Sequence, residues 1–416
     1  MIHRLPVALL ALLITTGAGA AASGCDFERV PVGEQKLGAW IDKSNWLSIE
    51  NQRLSLSAGA VFMPAWRLAP GGEAKAPAGK QRPVDDVQAI DPFDGRRRNL
   101  GFLLDSRLYA DGLVVLRNGR VVAERYRNGL APDQPRLLLE ASRPLLNLLG
   151  AMSVSEGKLA AERSVVRYLP ELAAATGLRK ISLQRLLENK EYHVWTPDDI
   201  EAWRRAGGWS TDAPDNSIRT WLSAPGRWDT TLTEREAPLF GASPDDDLLA
   251  WTLAEGNAMP LSRLFCEQLL SRAKPEHAVL WLSDAQGIEL ASGLGLSLRD
   301  FAKLGQLLVD ARSSRSGARI PRWFVETLLA PSGLRSAEIE GLAKGSEQRY
   351  GFVHLGGARN RVALIGAHGT SLYLDFDKRL VIALYATRPG ENSAGTLALL
   401  EQTWKAIGRA VVAPGE

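Results

Sequence analysis

A β-hairpin at residues 113–126 is the feature that most constrains the fold. Apolar and β-branched runs at 113–116 and 121–123 flank the pair Asn118-Gly119. Asn and Gly accept the positive φ angles of a tight type I′ turn, so the pattern predicts two antiparallel strands. A second hairpin is predicted at 371–386, where two apolar runs flank residues 377–379. Because helical patterns fill much of the chain between the hairpins, we expect one sheet built from strands far apart in sequence.

The predicted helices follow from apolar residues at helical spacing. One begins at Pro144 and ends near Gly157, and two more cover 183–187 and 248–270. Ser297 and Asp300 form a capping box that opens a helix over 301–309. An amphipathic helix over 393–411 ends the chain. The helices between the hairpins therefore predict a helical lobe inserted in the middle of the chain.

Composition argues against a nucleic-acid partner, a structural metal and a cofactor. The 416 residues include 50 basic and 47 acidic side chains, a net charge of +3, which gives no reason to expect a nucleic-acid partner. Two cysteines and histidines without metal-ligand spacing give no reason to expect a structural metal or a cofactor.

The first 25 residues are typical of an export signal. Arg4 precedes an apolar run at 5–14, too short to span a bilayer, and small residues lead to Cys25. Two alternatives remain open for Cys25. It either carries a lipid that tethers the chain to a membrane, or the signal is cleaved earlier and Cys25 can pair with Cys266. Both alternatives predict a location in the bacterial periplasm or cell envelope.

Several short motifs follow one another in order between residues 96 and 412. They are ERY at 124–126, SEGKL at 155–159, RYLPEL at 167–172, PGRW at 225–228 and LRDFAKLGQL at 298–307. Together they resemble the serine β-lactamase and penicillin-binding superfamily, in the branch of class C-like esterases and nylon-oligomer (6-aminohexanoate-dimer) hydrolases. Motifs in the correct order are far more specific than any one of them.

The resemblance implies a β-lactamase-like α/β (α+β) fold. Its antiparallel sheet is flanked by N- and C-terminal helices, and an all-helical lobe is inserted at about 158–290. This domain would span 96–416, and residues 26–95 would precede it as an irregular, partly β extension.

The residues that carry catalysis in this family are replaced. Acyl transfer there needs a serine, a lysine three residues later on the same helix, and a tyrosine from the helical lobe. Counting back from the SEGKL motif, the serine position falls on Glu140 and the lysine position on Arg143. Arginine stays protonated, with a pKa above about 12, and cannot act as the base. Ser142 is a poor substitute nucleophile, since Leu145, three residues on, cannot accept a proton.

The tyrosine is missing too. It would fall near Thr230, or near Phe240 and Gly241, yet no tyrosine occurs between Tyr192 and Tyr350. A match to the family's third motif is present. The segment Gly366–Ala367–His368–Gly369–Thr370 precedes the last hairpin, where that motif lies in the family.

Three hypotheses compete for the altered site. Glu140 and Arg143 could form an ion pair that fills the vacated pocket, as residues three apart on a helix commonly do. Together with His368 they could instead bind a polar ligand, or Glu140 could act as a new base or nucleophile. The candidate cleft residues are Glu140, Ser142, Arg143, His368, Gly369 and Thr370.

Two further groups of residues have simple structural interpretations. Core packing is expected for the tryptophans of the middle lobe, although some could line a cleft; they include Trp195, Trp203, Trp209, Trp221 and Trp228. The acidic run at 245–247 suits a helix N-terminus, where acids oppose the helix dipole.

The favoured hypothesis for the whole chain is an exported, non-catalytic protein on a β-lactamase-like scaffold. It would bind a small molecule, a peptide or a cell-wall fragment. An active amide or ester hydrolase with a rearranged site is the alternative.

Overall fold

The structure is a computed structural model that describes most of the chain. It covers residues 24–69, 76–191, 193–210, 217–228, 235–236, 241–313, 319–330, 338–357, 359–390 and 392–412. Residues 1–23 of the predicted export signal lie outside the described residues. Within the described ranges, no helix has the length and apolar character needed to cross a membrane.

The strands of the described residues are short in the N-terminal part and longer in the two main sheets. In chain order they are β1 (Glu28–Val30), β2 (Lys36–Leu37), β3 (Ile41–Asp42), β4 (Ala65–Leu68), β5 (Gln88–Ile90), β6 (Arg97–Asn99), β7 (Ala110–Arg117), β8 (Arg120–Tyr126), β9 (Arg136–Leu137), β10 (Lys190–Glu191), β11 (Arg235–Glu236), β12 (Val279–Ser283), β13 (Glu289–Leu296), β14 (Glu347–Arg349), β15 (Phe352–His354), β16 (Arg361–Ile365), β17 (Ser371–Asp375) and β18 (Leu380–Ala386).

The helices concentrate between the strands. In chain order they are α1 (Gln52–Ser55), α2 (Gly59–Phe62), α3 (Leu100–Phe102), α4 (Arg143–Ser155), α5 (Leu183–Leu187), α6 (Pro197–Ala206), α7 (Ile218–Leu222), α8 (Pro244–Asn257), α9 (Leu261–Phe265), α10 (Ser271–Ala273), α11 (Leu298–Ala311), α12 (Arg322–Leu329) and α13 (Ala394–Val411).

The two predicted hairpins are confirmed, and they meet in one sheet. Its strand order is β14-β15-β16-β17-β18-β7-β8, with every neighbouring pair antiparallel. Asn118 and Gly119 both have positive φ, 51° and 74°, as the turn between β7 and β8 requires. The pairing of β7 with β18 joins segments far apart in sequence, as expected.

Alternate side chains of this sheet pack against different helices. Val115 and Ile382 belong to the same buried cluster as Trp404 of α13, whereas their neighbours Val114 and Val381 belong to the cluster that contains Phe301 of α11. This alternation is what a pleated sheet buried on both faces produces. The sheet therefore sits between the C-terminal helix and α11, which confirms the predicted α/β fold class.

A second sheet was not predicted from the sequence. Its order is β1-β4-β12-β13-β9, so β4 of the N-terminal segment pairs with β12 from beyond the helical region, and β1 pairs with β4 at the edge. The predicted helical lobe extended to about residue 290, but Val279–Ser283 is the central strand β12 of this sheet. The N-terminal segment is thus built into the body of the fold.

The long helix predicted at 248–270 is interrupted. The helix α8 ends at Asn257, Ala258 takes a left-handed conformation with φ of 53°, and Pro260 precedes α9. Proline lacks an N–H and fixes its own φ, so the helix has to restart after it. In contrast, α5 begins at its predicted position, α4 begins one residue before it and α11 begins three residues before it.

Cys25 and Cys266 are joined by a disulfide, with their Cα atoms 5.6 Å apart. In this form of the chain the Cys25 sulfur cannot also carry a thioether-linked lipid, and its partner is the one that the second alternative for Cys25 allows. The bond connects the residues that follow the predicted signal to the helical region, 241 residues away. Closing so long a loop restricts the unfolded chain strongly.

Candidate ligand-binding site

Glu140 and Arg143, the residues predicted at the family's serine and lysine positions, lie in the turn before helix α4 and at the first residue of α4. Residues Leu139–Ser142 form a 3-10 turn that continues directly into α4, with Pro144 in its first turn. Leu139 has φ of 50°, an unusual conformation for a bulky side chain. Strained backbone of this kind is often found at functional sites, where the surrounding structure holds it in place.

Glu140 is held by the third motif. Its Oε1 accepts a hydrogen bond from the backbone N–H of Ala367, in the turn that precedes β17. The side chain is only partly buried, because it also faces a cavity. Desolvation raises the pKa of the Glu140 carboxyl, and the Asp246 charge adds to this, while the N–H groups of Glu140 and Ala367 and the nearby His368 act in the opposite direction.

Arg143 turns away from Glu140, so the predicted ion pair between these two residues is wrong. Its Nη1 donates to Asp246 Oδ1 of α8, its Nε to Asn147 Oδ1 at 3.0 Å, and its Nη2 to the carbonyl of Leu186 at 2.7 Å. Arg143 is buried, and a buried guanidinium needs several acceptors to offset its lost hydration. Residues on α4, α5 and α8 supply them, whereas Glu140 remains at the cavity.

Ser142 is sealed in the protein interior. It is fully buried, and its Oγ has no hydrogen-bond partner among the described residues. It does not line the cavity that Glu140 faces. The geometry therefore offers no support for Ser142 as a nucleophile.

His368 is the second candidate that reaches the cavity. It has φ of 57°, and its Nδ1 lies 3.1 Å from the carbonyl of Arg388 and 3.3 Å from that of Gly390. A proton on Nδ1 satisfies these contacts, and in the neutral ring this leaves Nε2 as an acceptor. Gly369 and Thr370 lie beside His368 but outside the cavity lining.

The cavity has a volume of about 460 Å³, the size of a small-molecule site. Its described lining comes from four parts of the chain: the N-terminal segment, the start of α4, the helical region with β13, and the third motif. The lining residues are Ser44, Leu47, Gln52, Leu139, Glu140, Glu201, Trp203, Arg204, Trp209, Ser210, Gly241, Ala242, Ser292, Ala367 and His368. Glycine stands at one position predicted for the family's tyrosine; the others, Thr230 and Phe240, lie outside the described residues.

Asp247 fixes two walls of this cavity at once. The indole Nε1 of Trp203 donates to its Oδ2 at 2.8 Å, and the N–H of Ala291, next to Ser292, donates to its Oδ1 at 2.7 Å. Burial raises the pKa of Asp247 to about 7, and Asp246 and Asp284 contribute in the same direction. The helix-dipole interpretation of the acidic run is thus incomplete, because these acids are buried and bind specific partners.

Trp209 is held from the N-terminal segment. Trp46 stacks on its ring with centroids 5.9 Å apart and donates its Nε1 to the Trp209 carbonyl at 3.1 Å. Lys43 Nζ donates to the carbonyls of Phe62, at 2.9 Å, and Gly208, beside Trp209. Burial lowers the pKa of Lys43 to about 7. This support could not be predicted from the sequence, because the N-terminal segment lacks a recognisable motif.

The described residues contain no group of three or more His, Cys, Asp or Glu side chains arranged to hold a metal ion. Two segments match the pattern of a serine followed by a lysine three residues later, at 155–158 and 271–274, and both lie outside the cavity lining. Lys158 pairs with Glu156 at 2.9 Å, and Lys274 follows the short helix α10 in a left-handed conformation. The chemical groups that the described lining offers are two carboxylates, a guanidinium, an amide, an imidazole, hydroxyls and indole rings.

Known proteins are similar to this chain in sequence and in fold. The chain is 26% identical over 361 residues to the 6-aminohexanoate-dimer hydrolase of Paenarthrobacter ureafaciens. The match covers 81% of this chain and 91% of the relative. No protein-family model matches.

Among solved structures, a Bacillus anthracis protein assigned as a 6-aminohexanoate-dimer hydrolase superposes with a TM-score of 0.72 at 21% identity, covering 88% of this chain and 96% of that one. A penicillin-binding protein homologue from Pyrococcus abyssi has a TM-score of 0.54 at 13% identity, over 74% and 75% of the two chains. The resemblance seen in the motifs is confirmed: the chain is similar in sequence to a 6-aminohexanoate-dimer hydrolase, and it shares its fold with proteins of the β-lactamase and penicillin-binding kind.

Proposed function

We propose that this chain binds a small molecule in the cavity beside Glu140 and does not hydrolyse it by the serine route. The observation that carries the proposal is the hydrogen bond from the Ala367 N–H to the Glu140 carboxylate. Acyl transfer needs free N–H donors to stabilise the negative charge that develops on the carbonyl oxygen. A donor that already binds a carboxylate of its own chain is not free for this task.

The surroundings of Arg143 support the same proposal. A proton shuttle needs a group that can lose its proton near neutral pH, and a guanidinium cannot. Arg143 also donates to three acceptors on the side away from the cavity. It therefore supports the fold in the position where relatives would need a base.

A hydrolase with a rearranged site is the alternative, and two observations favour it. The relatives are named as hydrolases, and the cavity lining includes the hydroxyl residues Ser44, Ser210 and Ser292. A serine nucleophile also needs a base within hydrogen-bond reach. Lys43 has a suitably low pKa of about 7, but the hydrogen bonds of its Nζ go to the backbone carbonyls of Phe62 and Gly208.

Covalent labelling separates the two functions. The purified protein is incubated with a fluorophosphonate and with a fluorescent penicillin, and its intact mass is measured. We expect no adduct on any serine. An adduct that disappears in Ser292→Ala but persists in Ser142→Ala would establish the hydrolase alternative. A thermal-shift screen with cell-wall peptides, small amides and amines tests binding, and the binding proposal fails if none of them stabilises the fold.

We also propose that the chain acts in the bacterial periplasm or cell envelope. The apolar run at 5–14 and the bond between Cys25 and Cys266 support this, since disulfides persist in oxidising compartments. Mass spectrometry of the mature protein from an exporting host tests it. We expect a chain cleaved before Cys25, without lipid and without free thiols. A lipidated Cys25 together with an alkylatable Cys266 would instead establish the membrane tether.

A further inference from the structure

We infer that a cleft beside the disulfide between Cys25 and Cys266, here called the disulfide cleft, binds a small alkylated ammonium ion. The Glu289 carboxylate is the counter-ion, and the Trp66 ring packs against the methyl groups of the ligand. The disulfide cleft shares no described lining residue with the cavity beside Glu140, so the inference goes beyond the function proposed for that cavity. It follows from the size of the cleft, the charges around it and the nature of its walls.

The disulfide cleft lies where the N-terminal segment meets the helical region. Its volume is about 210 Å³. Drug-sized ligands occupy cavities of about 300 Å³ or more, so this space suits a smaller group. Cys25 and Phe27 line it from the N-terminal segment, Trp66 from β4, Pro260 from the turn before α9 and Glu289 from β13. The disulfide and the pairing of β1, β4, β12 and β13 join these parts, so the walls are held in fixed positions.

Glu289 lacks a cation of its own among the described residues, because the nearby arginines pair with other acids. Arg263 of the same lining binds Glu267 at 2.8 Å, and Arg219 binds Glu255 at 2.6 Å. Burial raises the pKa of the Glu289 carboxyl, while the charge of Arg219 and the local hydrogen bonds act in the opposite direction. A carboxylate removed from water without a charged partner is costly, so a cationic ligand would offset its burial.

The other charged residues of the lining lie at the mouth of the cleft. Asp26 and Arg263 are both exposed, and they are close enough to interact with each other. Exposed groups of opposite charge contribute little to the potential inside a cleft, because water screens them. The charge that a ligand meets inside the disulfide cleft is therefore that of Glu289.

The walls favour a cation whose charge is covered by carbon. The Nε1 of Trp66 donates to the carbonyl of Gly287 at 2.9 Å, so this side chain offers the ligand its ring and not a donor. The Oγ of Ser262 donates to Glu289 Oε1 at 2.9 Å, which fixes the carboxylate. The rest of the inner lining is apolar and includes Phe27. Indole faces attract alkylated ammonium groups, and a fully alkylated group has no N–H that needs an acceptor.

Isothermal titration with choline tests the inference against two related probes. One is the neutral isostere of choline, in which a tert-butyl group replaces the trimethylammonium group, and the other is ethanolamine. We expect choline to bind at least tenfold more tightly than the isostere and more tightly than ethanolamine. Glu289→Gln can still accept the Ser262 hydrogen bond and should weaken choline binding at least tenfold. Glu28→Gln, an exposed carboxylate on β1 outside the lining, is the matched control and should change binding by less than twofold.

Trp66→Leu gives an independent check, because it keeps an apolar wall and removes the ring face. It should weaken choline binding severalfold and leave the affinity for the neutral isostere almost unchanged. Thermal unfolding of each variant confirms that it is folded. The inference is overturned if choline does not bind, if the isostere or ethanolamine binds as tightly as choline, or if Glu289→Gln leaves the affinity intact. Loss of choline binding in Glu140→Gln would also overturn it, because the ligand would then lie in the other cavity.

Discussion

Glu140 and Arg143 lie one turn apart, yet their surroundings differ in kind. Arg143 is buried among three acceptors from its own helix, α5 and α8. Glu140 receives one backbone N–H and otherwise faces a cavity of about 460 Å³. One charge is fully compensated inside the protein, and the other is not.

This difference indicates which charge supports the fold and which is available to a ligand. A buried ion pair with complete hydrogen bonding contributes little net stability, but removing one partner exposes the full desolvation cost of the other. A carboxylate at a cavity wall has no such dependent partner, and a ligand can supply what it lacks. The comparison therefore assigns Arg143 to the structure and Glu140 to the site.

The largest expected effect comes from removing the interior charge. Arg143→Met leaves Asp246 buried without its cation, so we expect the free energy of unfolding to fall by about 3–5 kcal/mol. Chemical denaturation measures it. The double variant Arg143→Met with Asp246→Asn should recover part of the loss, because Asn can still accept the Ser243 N–H at the start of α8. A loss below about 1 kcal/mol in the single variant would erase the distinction between the two charges.

The fold was predictable where local chemistry decides it. The Asn118-Gly119 turn and the cap at Ser297, whose Oγ accepts from the Asp300 N–H at 3.2 Å, depend on residues within a few positions of each other. The sheet that joins Ala65–Leu68 to Val279–Ser283 depends on pairing across more than two hundred residues. Neither short segment has a sequence pattern that predicts which strand it pairs with.

The site was predictable in part, for a similar reason. The motifs predicted Glu140 and His368 in one cleft, and both line the cavity, because both positions follow from the order of segments that the chain shares with the proteins it resembles. The partner of Arg143 could not be read from the sequence, because Asp246 lies 103 positions away in a run of three aspartates that a helix N-terminus already explains. The walls from the N-terminal segment, such as Gln52, carry no motif at all.

Asp247 is a third buried charge to compare with Glu140 and Arg143. It is a carboxylate whose hydrogen bonds in the described chain come from neutral donors, the Trp203 indole and the Ala291 N–H. Its pKa of about 7, raised by burial, means that its contribution to stability is complete below about pH 4 and is lost as the pH rises through 7. Asp247→Asn loses the Trp203 hydrogen bond and should be less stable than the unaltered protein at pH 5. Between pH 5 and 8 we expect this deficit to shrink by ~2–4 kcal/mol.

Unfolding curves at several pH values measure this shift. Glu201→Gln, which removes an exposed carboxylate, serves as the control for surface charge. A deficit that stays constant from pH 5 to pH 8 would mean that Asp247 is ionised throughout and is compensated as fully as Asp246.

The smallest effect on stability should come from Glu140. In Glu140→Gln the amide oxygen can still accept the Ala367 N–H, so we expect the free energy of unfolding to change by less than about 1 kcal/mol at pH 5. Since burial raises the pKa of Glu140, its ionised form costs stability as the pH rises, and the Gln variant should gain relative to the unaltered protein toward pH 8. The same denaturation series measures both values. A loss of more than about 2 kcal/mol at either pH would place Glu140 beside Arg143 among the charges that the fold requires.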